Sequence, residues 1–282
     1  MTEHEAAPAA VTGKDSHNLL LRIVAALVLA PLAIATAYAG GWLWAGLVTL
    51  TSVGLYLEWL MVVNAAREIR VAASGSVALA IAGWYLAEDH LQVVLAVLAL
   101  GLVAVALLSG ERRRWTTAGF LYAAAAEIAS ILVRRDEPDG LIALIFVLLV
   151  VWGTDIGGYF AGRGIGGPKL WPRVSPKKTW AGAIGGFAVS LAIAFGFAAF
   201  GVGQALPLLV LAAVLSTASQ LGDLLESAVK RRFGVKDSSH IIPGHGGLMD
   251  RLDGYVAAIV LAAVLGILRG GMDGVGRALM VW

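Results

Sequence analysis

The sequence predicts an all-α polytopic integral membrane protein with about nine transmembrane helices and two long cytoplasmic polar loops. Hydrophobic residues make up 59% of the 282 residues, charged residues make up 14%, and the mean hydropathy is +0.82. Soluble globular domains are far more polar than this. Apolar runs of about 20 residues recur along the chain, and each is long enough to cross a hydrocarbon core about 30 Å thick.

The apolar runs define the predicted elements in chain order. Residues 1–17 are polar and rich in Ala and Pro, which predicts a disordered cytoplasmic tail, and residues 18–282 are expected to form a single transmembrane domain. The predicted spans are residues 20–39, 42–63, 71–87, 91–109, 116–133, 140–161, 181–200, 205–226 and 254–270. The first run has a second interpretation, because Arg22, an apolar core and Ala37-Tyr38-Ala39 also resemble a cleavable signal peptide.

The distribution of Lys and Arg predicts the orientation of these spans. With a cytoplasmic N-terminus and nine spans, all but four of the 21 basic residues lie inside. The four outside are Arg134, Arg135, Arg269 and Arg277. Because basic residues concentrate on the cytoplasmic side of membrane proteins, both long polar loops, about 162–180 and 227–253, are expected to face the cytoplasm.

A single polar stretch, residues 220–253, concentrates most of the ionisable groups that could carry chemistry. Its acids are Asp223, Glu226, Asp237, Asp250 and Asp253, and its bases are Lys230, Arg231, Arg232, Lys236 and Arg251. The chain has no cysteine, so a metal would be held by oxygen or imidazole, and oxygen ligands favour Mg²⁺, Mn²⁺ or Ca²⁺. The stretch therefore predicts a site for metal and phosphate.

Two pairs in this stretch have the i,i+3 spacing that places side chains on one helix face: Gln220 with Asp223, and Asp250 with Asp253. An acid near the end of an apolar helix must be paired, protonated or bound to a cation. For Asp223, the alternative to a cation site is an ion pair with Lys230 or Arg231. The glycine-rich turn before Asp250, residues 243–247, would let backbone amides approach a phosphate.

The other inner loop adds further groups that suit a polyanion. Ser175, Lys177, Lys178 and Thr179 combine hydroxyl and ammonium donors, which fits a nucleotide triphosphate or a lipid phosphate. The alternative is a basic flank that contacts anionic lipid headgroups. Asp155 lies inside the preceding apolar run, either facing a substrate or pairing with a basic side chain in helix packing.

Several of these residues resemble the signature of phosphatidate cytidylyltransferases, also called CDP-diacylglycerol synthases. The signature runs without a gap from Ser227 to Asp253 and comprises Ser227, Lys230-Arg231, Lys236-Asp237, Ser239, His245-Gly246-Gly247, Asp250-Arg251 and Asp253. Upstream, Asp155, Gly158-Tyr159, Gly162-Arg163 and Ser175-Pro176-Lys177-Lys178-Thr179 are similar to the second inner loop of the family. The N-terminal half is similar only in hydropathy and in features such as Glu58-Trp59.

The resemblance implies that residues 18–282 are a catalytic domain that transfers a cytidylyl group from CTP to phosphatidic acid, in a bacterial inner membrane with the site facing the cytoplasm. It implies Mg²⁺ or Mn²⁺ as cofactor, with room for a second cation, and Asp223, Asp250 and Asp253 as metal ligands. The implied catalytic residues are Asp223, Asp250, Lys236 and Asp237. The implied substrate-binding residues are Ser175, Lys177, Lys178, Thr179, Ser227, Lys230, Arg231, His245, Gly246, Gly247 and Arg251. The expected partners are CTP, phosphatidic acid and the bilayer, without nucleic acid, and a homodimer is compatible with the pattern.

Two positions depart from the family pattern. Ala181 stands where similar proteins have Glu, and Gly167 stands where they have Lys, although Lys169 is close enough to replace the latter. Two other functions remain compatible with the sequence. One is a related enzyme acting on another lipid phosphate, such as a polyprenyl phosphate. The other is a transporter that uses Asp155 and Asp223 as intramembrane sites.

Overall fold

The computed structural model describes residues 27–28, 31–239, 241 and 246–282, which form a helical bundle with one short hairpin. Residues 31–39 are helical and precede the labelled elements. The elements are α1 (Gly41–Val62), α2 (Ile69–Ala87), α3 (Leu91–Leu108), α4 (Arg113–Arg135), α5 (Asp139–Gly164), β1 (Lys169–Trp171), β2 (Ser175–Thr179), α6 (Trp180–Ala199), α7 (Ala205–Arg232), α8 (Met249–Gly270) and α9 (Val275–Met280).

The structure confirms the all-α polytopic membrane class. Helices α1 to α8 are each long and apolar enough to cross a membrane, which makes eight such helices among the described residues. The first predicted span, residues 20–39, lies partly outside the described residues, which include 27–28 and 31–39 of it, so the total of nine stays a prediction. Residues 31–39 are held to α4 by Arg134, whose Nε donates to Ala37 O at 2.5 Å.

Three helices extend beyond the spans predicted from hydropathy. Helix α5 continues to Gly164, α7 continues to Arg232, and α8 begins at Met249, where the predictions were 161, 226 and 254. Hydropathy indicates where a chain leaves the apolar phase, whereas a helix can continue into water. Basic residues in the last turn of α7 and Asp250 in the first turn of α8 also interact favourably with the helix dipoles.

The loop predicted at 162–180 contains a regular hairpin. Strands β1 and β2 pair in antiparallel register, with Lys169 opposite Thr179 and Trp171 opposite Ser175. Strand β2 leads directly into α6, and Thr179 is the N-cap of that helix, since its Oγ1 accepts a hydrogen bond from Gly182 N at 3.1 Å. The hairpin is therefore fixed to the start of α6.

Glycines let the last four long helices approach closely. A Cβ at Gly182 would lie 2.8 Å from the Gly158 carbonyl oxygen, and a Cβ at Gly186 would collide with the Thr154 carbonyl oxygen, so α5 and α6 pack backbone to backbone. Between α7 and α8, a Cβ at Gly222 would lie 2.7 Å from the Asp253 carbonyl oxygen. This close packing brings the polar ends of α5, α7 and α8 together.

We expect Gly186→Ala to destabilise the protein, because the new methyl group must displace the backbone of α5. The cost of such overpacking is about 1–3 kcal/mol in the free energy of unfolding. Gly196→Ala is the matched control in the same helix, since a Cβ there meets nothing within 4 Å and alanine favours helix. Thermal unfolding in detergent should show a lower Tm for Gly186→Ala only. Equal Tm values would contradict the packing described here.

Candidate active site

The candidate site lies at the end of the bundle where α5 and α7 end and α6 and α8 begin. Two connecting segments meet there: the hairpin between α5 and α6, and the segment between α7 and α8, called here the α7–α8 segment (residues 233–248). Lys178 of the hairpin forms an ion pair with Asp223 of α7. This pair joins the hairpin to α7 at a point four residues before the predicted loop 227–253.

Lys230 joins α7 to α8 through two buried carboxylates. Its Nζ lies 2.5 Å from Asp250 Oδ1 on α8 and 3.0 Å from Glu226 Oε1 one turn earlier on α7. The exposed fractions of these side chains are 9% for Lys230, 13% for Asp250 and 2% for Glu226. Buried charges are tolerated when they are paired and hydrogen-bonded, so one ammonium stabilises two acids on neighbouring helices.

Asp250 also organises the α7–α8 segment. Its Oδ2 accepts hydrogen bonds from the backbone amides of Ser238 at 3.0 Å and Gly247 at 3.1 Å. Charge-assisted bonds of this kind are stronger than neutral ones. Asp250, which was predicted as a metal ligand, therefore binds Lys230 and two amides. These bonds fix Ser238 and Gly247 relative to α8.

Asp223 has a different environment, shared with Asp253 and Asp155. Asp223 and Lys178 remain 26% and 31% exposed, and Ser227 Oγ donates to Asp223 Oδ1 at 3.4 Å. Asp155 on α5 interacts electrostatically with Asp223, Asp253 and Lys178. Of the two interpretations of Asp155, the structure favours the one in which it faces the site.

The donor set at Asp223 and Asp253 fits a divalent cation in its chemistry, because clustered carboxylate oxygens are the ligands that Mg²⁺ and Mn²⁺ prefer. At present the Lys178 ammonium supplies the positive charge beside Asp223. In the part of the chain that the structure describes, no three Asp, Glu, His or Cys side chains are arranged as a metal centre. Of the predicted metal ligands, Asp250 is paired with Lys230, whereas Asp253 interacts with Asp223 and also hydrogen-bonds Glu226, which connects the two groups of charges.

The remaining predicted residues are distributed over both connecting segments. Lys236 and Asp237 are exposed on the α7–α8 segment, and Lys177 is exposed on β2, where Ser175 is half-buried. Arg231 is exposed and donates to Val235 O at 2.9 Å.

Four further predicted residues have structural roles or positions of note. Gly246 has a positive φ of 86°, which favours glycine, and Arg251 is exposed in the first turn of α8. Thr179 caps α6, which is a structural role, whereas the sequence predicted only a contact with substrate. His245 lies outside the described residues.

Two residues of the site region were not assigned a role from the sequence. Glu226 has a local signal, since it lies four residues before Lys230 on the same helix face. Glu58 on α1 is fully buried and hydrogen-bonds Ser238, which lies 180 residues away in the chain. That separation leaves no local pattern from which its role could be predicted.

Comparison with known proteins gives matches over most of the chain. Residues 20–268 match the model of the cytidylyltransferase family. A phosphatidate cytidylyltransferase of Brucella suis biovar 1 is 40% identical over 263 residues, which cover 88% of this chain and 93% of the relative. A protein of the same name from Bacillus subtilis is 43% identical over 129 residues, which cover 44% of this chain and 47% of that protein. Another, from Haemophilus influenzae, is 45% identical over 131 residues, which cover 44% of this chain and 46% of that protein.

We expect Lys230→Met to destabilise the protein strongly, because Glu226 and Asp250 would lose the ammonium between them. Removing one partner of a buried ion pair costs about 3–5 kcal/mol in the free energy of unfolding. Lys177→Met, at an exposed lysine, is the control. The double variant Lys230→Met/Asp250→Asn should recover part of the loss in thermal unfolding. A Lys230→Met protein as stable as the control would contradict the role given to this ion pair.

Proposed function

The chain belongs to the cytidylyltransferase family, and from this premise we propose that it transfers a cytidylyl group from CTP to phosphatidic acid, forming CDP-diacylglycerol and pyrophosphate. The observation that carries the proposal is the convergence of acids and bases from the hairpin, α7 and α8 at one end of the bundle, where Lys178 pairs with Asp223. Relatives that cover most of the chain bear the name of this activity.

The reaction joins two polyanions. An oxygen of the lipid phosphate attacks the α-phosphorus of CTP, a new P–O bond forms, and the bond to the bridging oxygen breaks so that pyrophosphate leaves. A phosphate monoester is already nucleophilic near neutral pH, so the chain need not supply a strong general base. The main barrier is electrostatic repulsion, and the chain's contribution is to bind and orient the phosphates.

The basic residues at this end of the bundle are proposed to bind those phosphates. Lys177 and Lys178 come from the hairpin, and Arg231, Lys236 and Arg251 come from α7, the α7–α8 segment and α8. Lys178 is close enough to the acids to exchange Asp223 for a phosphate oxygen without a large movement of the chain. Lys230, which is buried between two carboxylates, is better placed to hold α7 and α8 together than to reach a substrate.

A divalent cation, Mg²⁺ or Mn²⁺, is part of the proposal. Asp223 and Asp253 would hold it, whereas Asp250, the third ligand predicted from the sequence, is already bound to Lys230 and two backbone amides. When bound, the cation supplies neutralisation of phosphate charge and orientation of the reacting groups. Asp155 would add negative charge beside the first two acids and strengthen their attraction for the cation.

The proposal also includes a bacterial inner membrane with the site facing the cytoplasm, and it is supported by the concentration of basic residues on that side. A homodimer stays a prediction. The departures at Ala181 and Gly167 lie in α6 and in the turn before β1, so they change the surroundings of the hairpin and leave the carboxylates in place.

We expect Asp223→Asn to lower the rate of cytidylyl transfer by roughly 100-fold or more, because the neutral amide no longer balances a cation or Lys178. The measurement uses purified protein, labelled CTP, Mg²⁺ and a panel of lipid phosphates, and it scores label linked to lipid. Glu111→Gln, at an exposed acid on the loop between α3 and α4, should keep the wild-type rate. A cation-dependent wild-type rate in a properly inserted Asp223→Asn variant would remove Asp223 from the site. If label were transferred only to a polyprenyl phosphate, the acceptor would be that lipid and not phosphatidic acid.

Sidedness can be tested in sealed membrane vesicles. Because CTP is a polyanion that does not cross the bilayer, external CTP should be used by inverted vesicles and not by right-side-out vesicles. Permeabilised vesicles of both orientations should react equally, which controls for the amount of enzyme. Activity confined to intact right-side-out vesicles would reverse the proposed orientation.

A further inference from the structure

Glu58 is a buried carboxylate on α1 that hydrogen-bonds the α7–α8 segment and the first residue of α8. Its side chain is 0% exposed. It accepts four hydrogen bonds, from Ser238 Oγ at 2.9 Å, Ser239 Oγ at 2.6 Å, Leu248 N at 2.8 Å and Met249 N at 2.7 Å. A buried carboxylate is costly unless its oxygens are hydrogen-bonded, and these four bonds satisfy both oxygens.

The donors to Glu58 come from two places that are ten residues apart in the chain. Ser238 and Ser239 lie on one side of the glycine turn, and Leu248 and Met249 lie on the other. Asp250 bridges the same two places, through the amides of Ser238 and Gly247. Residues 238–239 and residues 247–249 are therefore fixed between two carboxylates, Glu58 on α1 and Asp250 on α8.

Two glycines near Glu58, Gly247 and Gly54, lie too close to their neighbours to carry a side chain. A Cβ at Gly247 would lie 2.8 Å from Glu58 Oε2 and would collide with Ser238 Oγ. A Cβ at Gly54, one turn before Glu58 on α1, would lie 2.8 Å from Leu248 Cδ2. Gly247 was predicted to contact substrate, and its contact with Glu58 gives an additional reason why a side chain cannot be accommodated there.

We propose that Glu58 is a positioning residue for CTP: it fixes residues 238–239 and 248–249, and with them Asp250, in the arrangement that receives the nucleotide triphosphate. This rests on the proposed cytidylyl transfer. Glu58 acts through its four donors, Ser238, Ser239, Leu248 and Met249, and does not touch the substrate. We therefore expect its effect on the binding of CTP and not on the binding of phosphatidic acid.

The carboxylate is required because each of its oxygens accepts one hydroxyl and one backbone N–H. Oε1 accepts from Ser239 Oγ and Leu248 N, and Oε2 accepts from Ser238 Oγ and Met249 N. In Glu58→Gln one oxygen becomes an amide NH₂, which would face a backbone N–H that is also a donor. One end of the turn is therefore released while the size of the side chain is kept.

The first test is the kinetics of Glu58→Gln with CTP and phosphatidic acid varied separately. We expect the KM for CTP to rise roughly 10- to 100-fold, as displacement of a binding group by about 1 Å would give, with the KM for phosphatidic acid unchanged. The matched control is Glu127→Gln, which changes another fully buried acid on the adjacent helix α4 and should keep both KM values. An unchanged KM for CTP, or equal increases for both substrates, would overturn the proposal.

The second test is amide hydrogen exchange of the full protein in detergent, which does not depend on activity. Exchange at Leu248 and Met249 should accelerate in Glu58→Gln and stay at the wild-type rate in Glu127→Gln, with α5 and α6 unchanged in both. Exchange that is unchanged at these amides, or faster throughout the bundle, would show that Glu58 does not position the turn. If wild-type protein forms no lipid-linked cytidylyl product, the proposed function fails, and the exchange result still decides whether Glu58 fixes the segment.

A third variant covers the case in which Glu58→Gln inserts poorly. Ser239→Ala removes one of the four bonds and leaves Glu58 charged, so we expect a smaller increase in the KM for CTP, of a few fold. Combined with Glu58→Gln it should add less than its separate effect, because both changes break the same hydrogen bond. Full additivity of the two effects would contradict a shared role.

Discussion

The interaction on which the site depends is the pairing of Lys230 with Glu226 and Asp250. These two acids lie on neighbouring helices that approach closely, because Gly222 of α7 packs against the backbone of Asp253 on α8. Buried carboxylates at such a distance repel each other, and the ammonium 2.5 Å and 3.0 Å from their oxygens offsets that repulsion. Because Lys230 holds Asp250 in place, Asp250 can in turn hold the amides of Ser238 and Gly247.

A second group of charges, around Asp223, is accessible enough to bind a ligand. Asp223 on α7 and Lys178 on the hairpin are partly exposed and lie beside Asp155 and Asp253. Partly exposed charges can exchange partners at lower cost than buried ones, since water compensates each group while it is unpaired. The site therefore has a buried structural part around Lys230 and a more accessible part around Asp223, connected by the hydrogen bond between Glu226 and Asp253, and the accessible part is where a nucleotide and a cation are proposed to bind.

The sequence predicts the parts of this arrangement that depend on local patterns. Apolar runs locate the helices, and the acids and bases of residues 220–253 locate the site, because hydropathy and charge can be assigned one residue at a time. Helix ends at Arg232 and Met249 differ from the predicted ends, since polar helical turns outside the apolar phase have no hydropathy signal. The division between Asp223 and Asp250, and the role of Glu58, depend on contacts between distant helices, which no spacing in the sequence encodes.

The most direct test of this account is an experimentally determined structure of the protein with a non-hydrolysable CTP analogue and Mg²⁺. We expect the triphosphate to contact Lys178, the cation to contact Asp223 and Asp253, and Lys230 to remain between Glu226 and Asp250. A different cavity, of about 740 Å³ and lined by Glu68, Trp115 and Arg232 among others, lies beside the end of α7. Nucleotide bound in that cavity, with Lys178 still paired to Asp223, would contradict the assignment of the site.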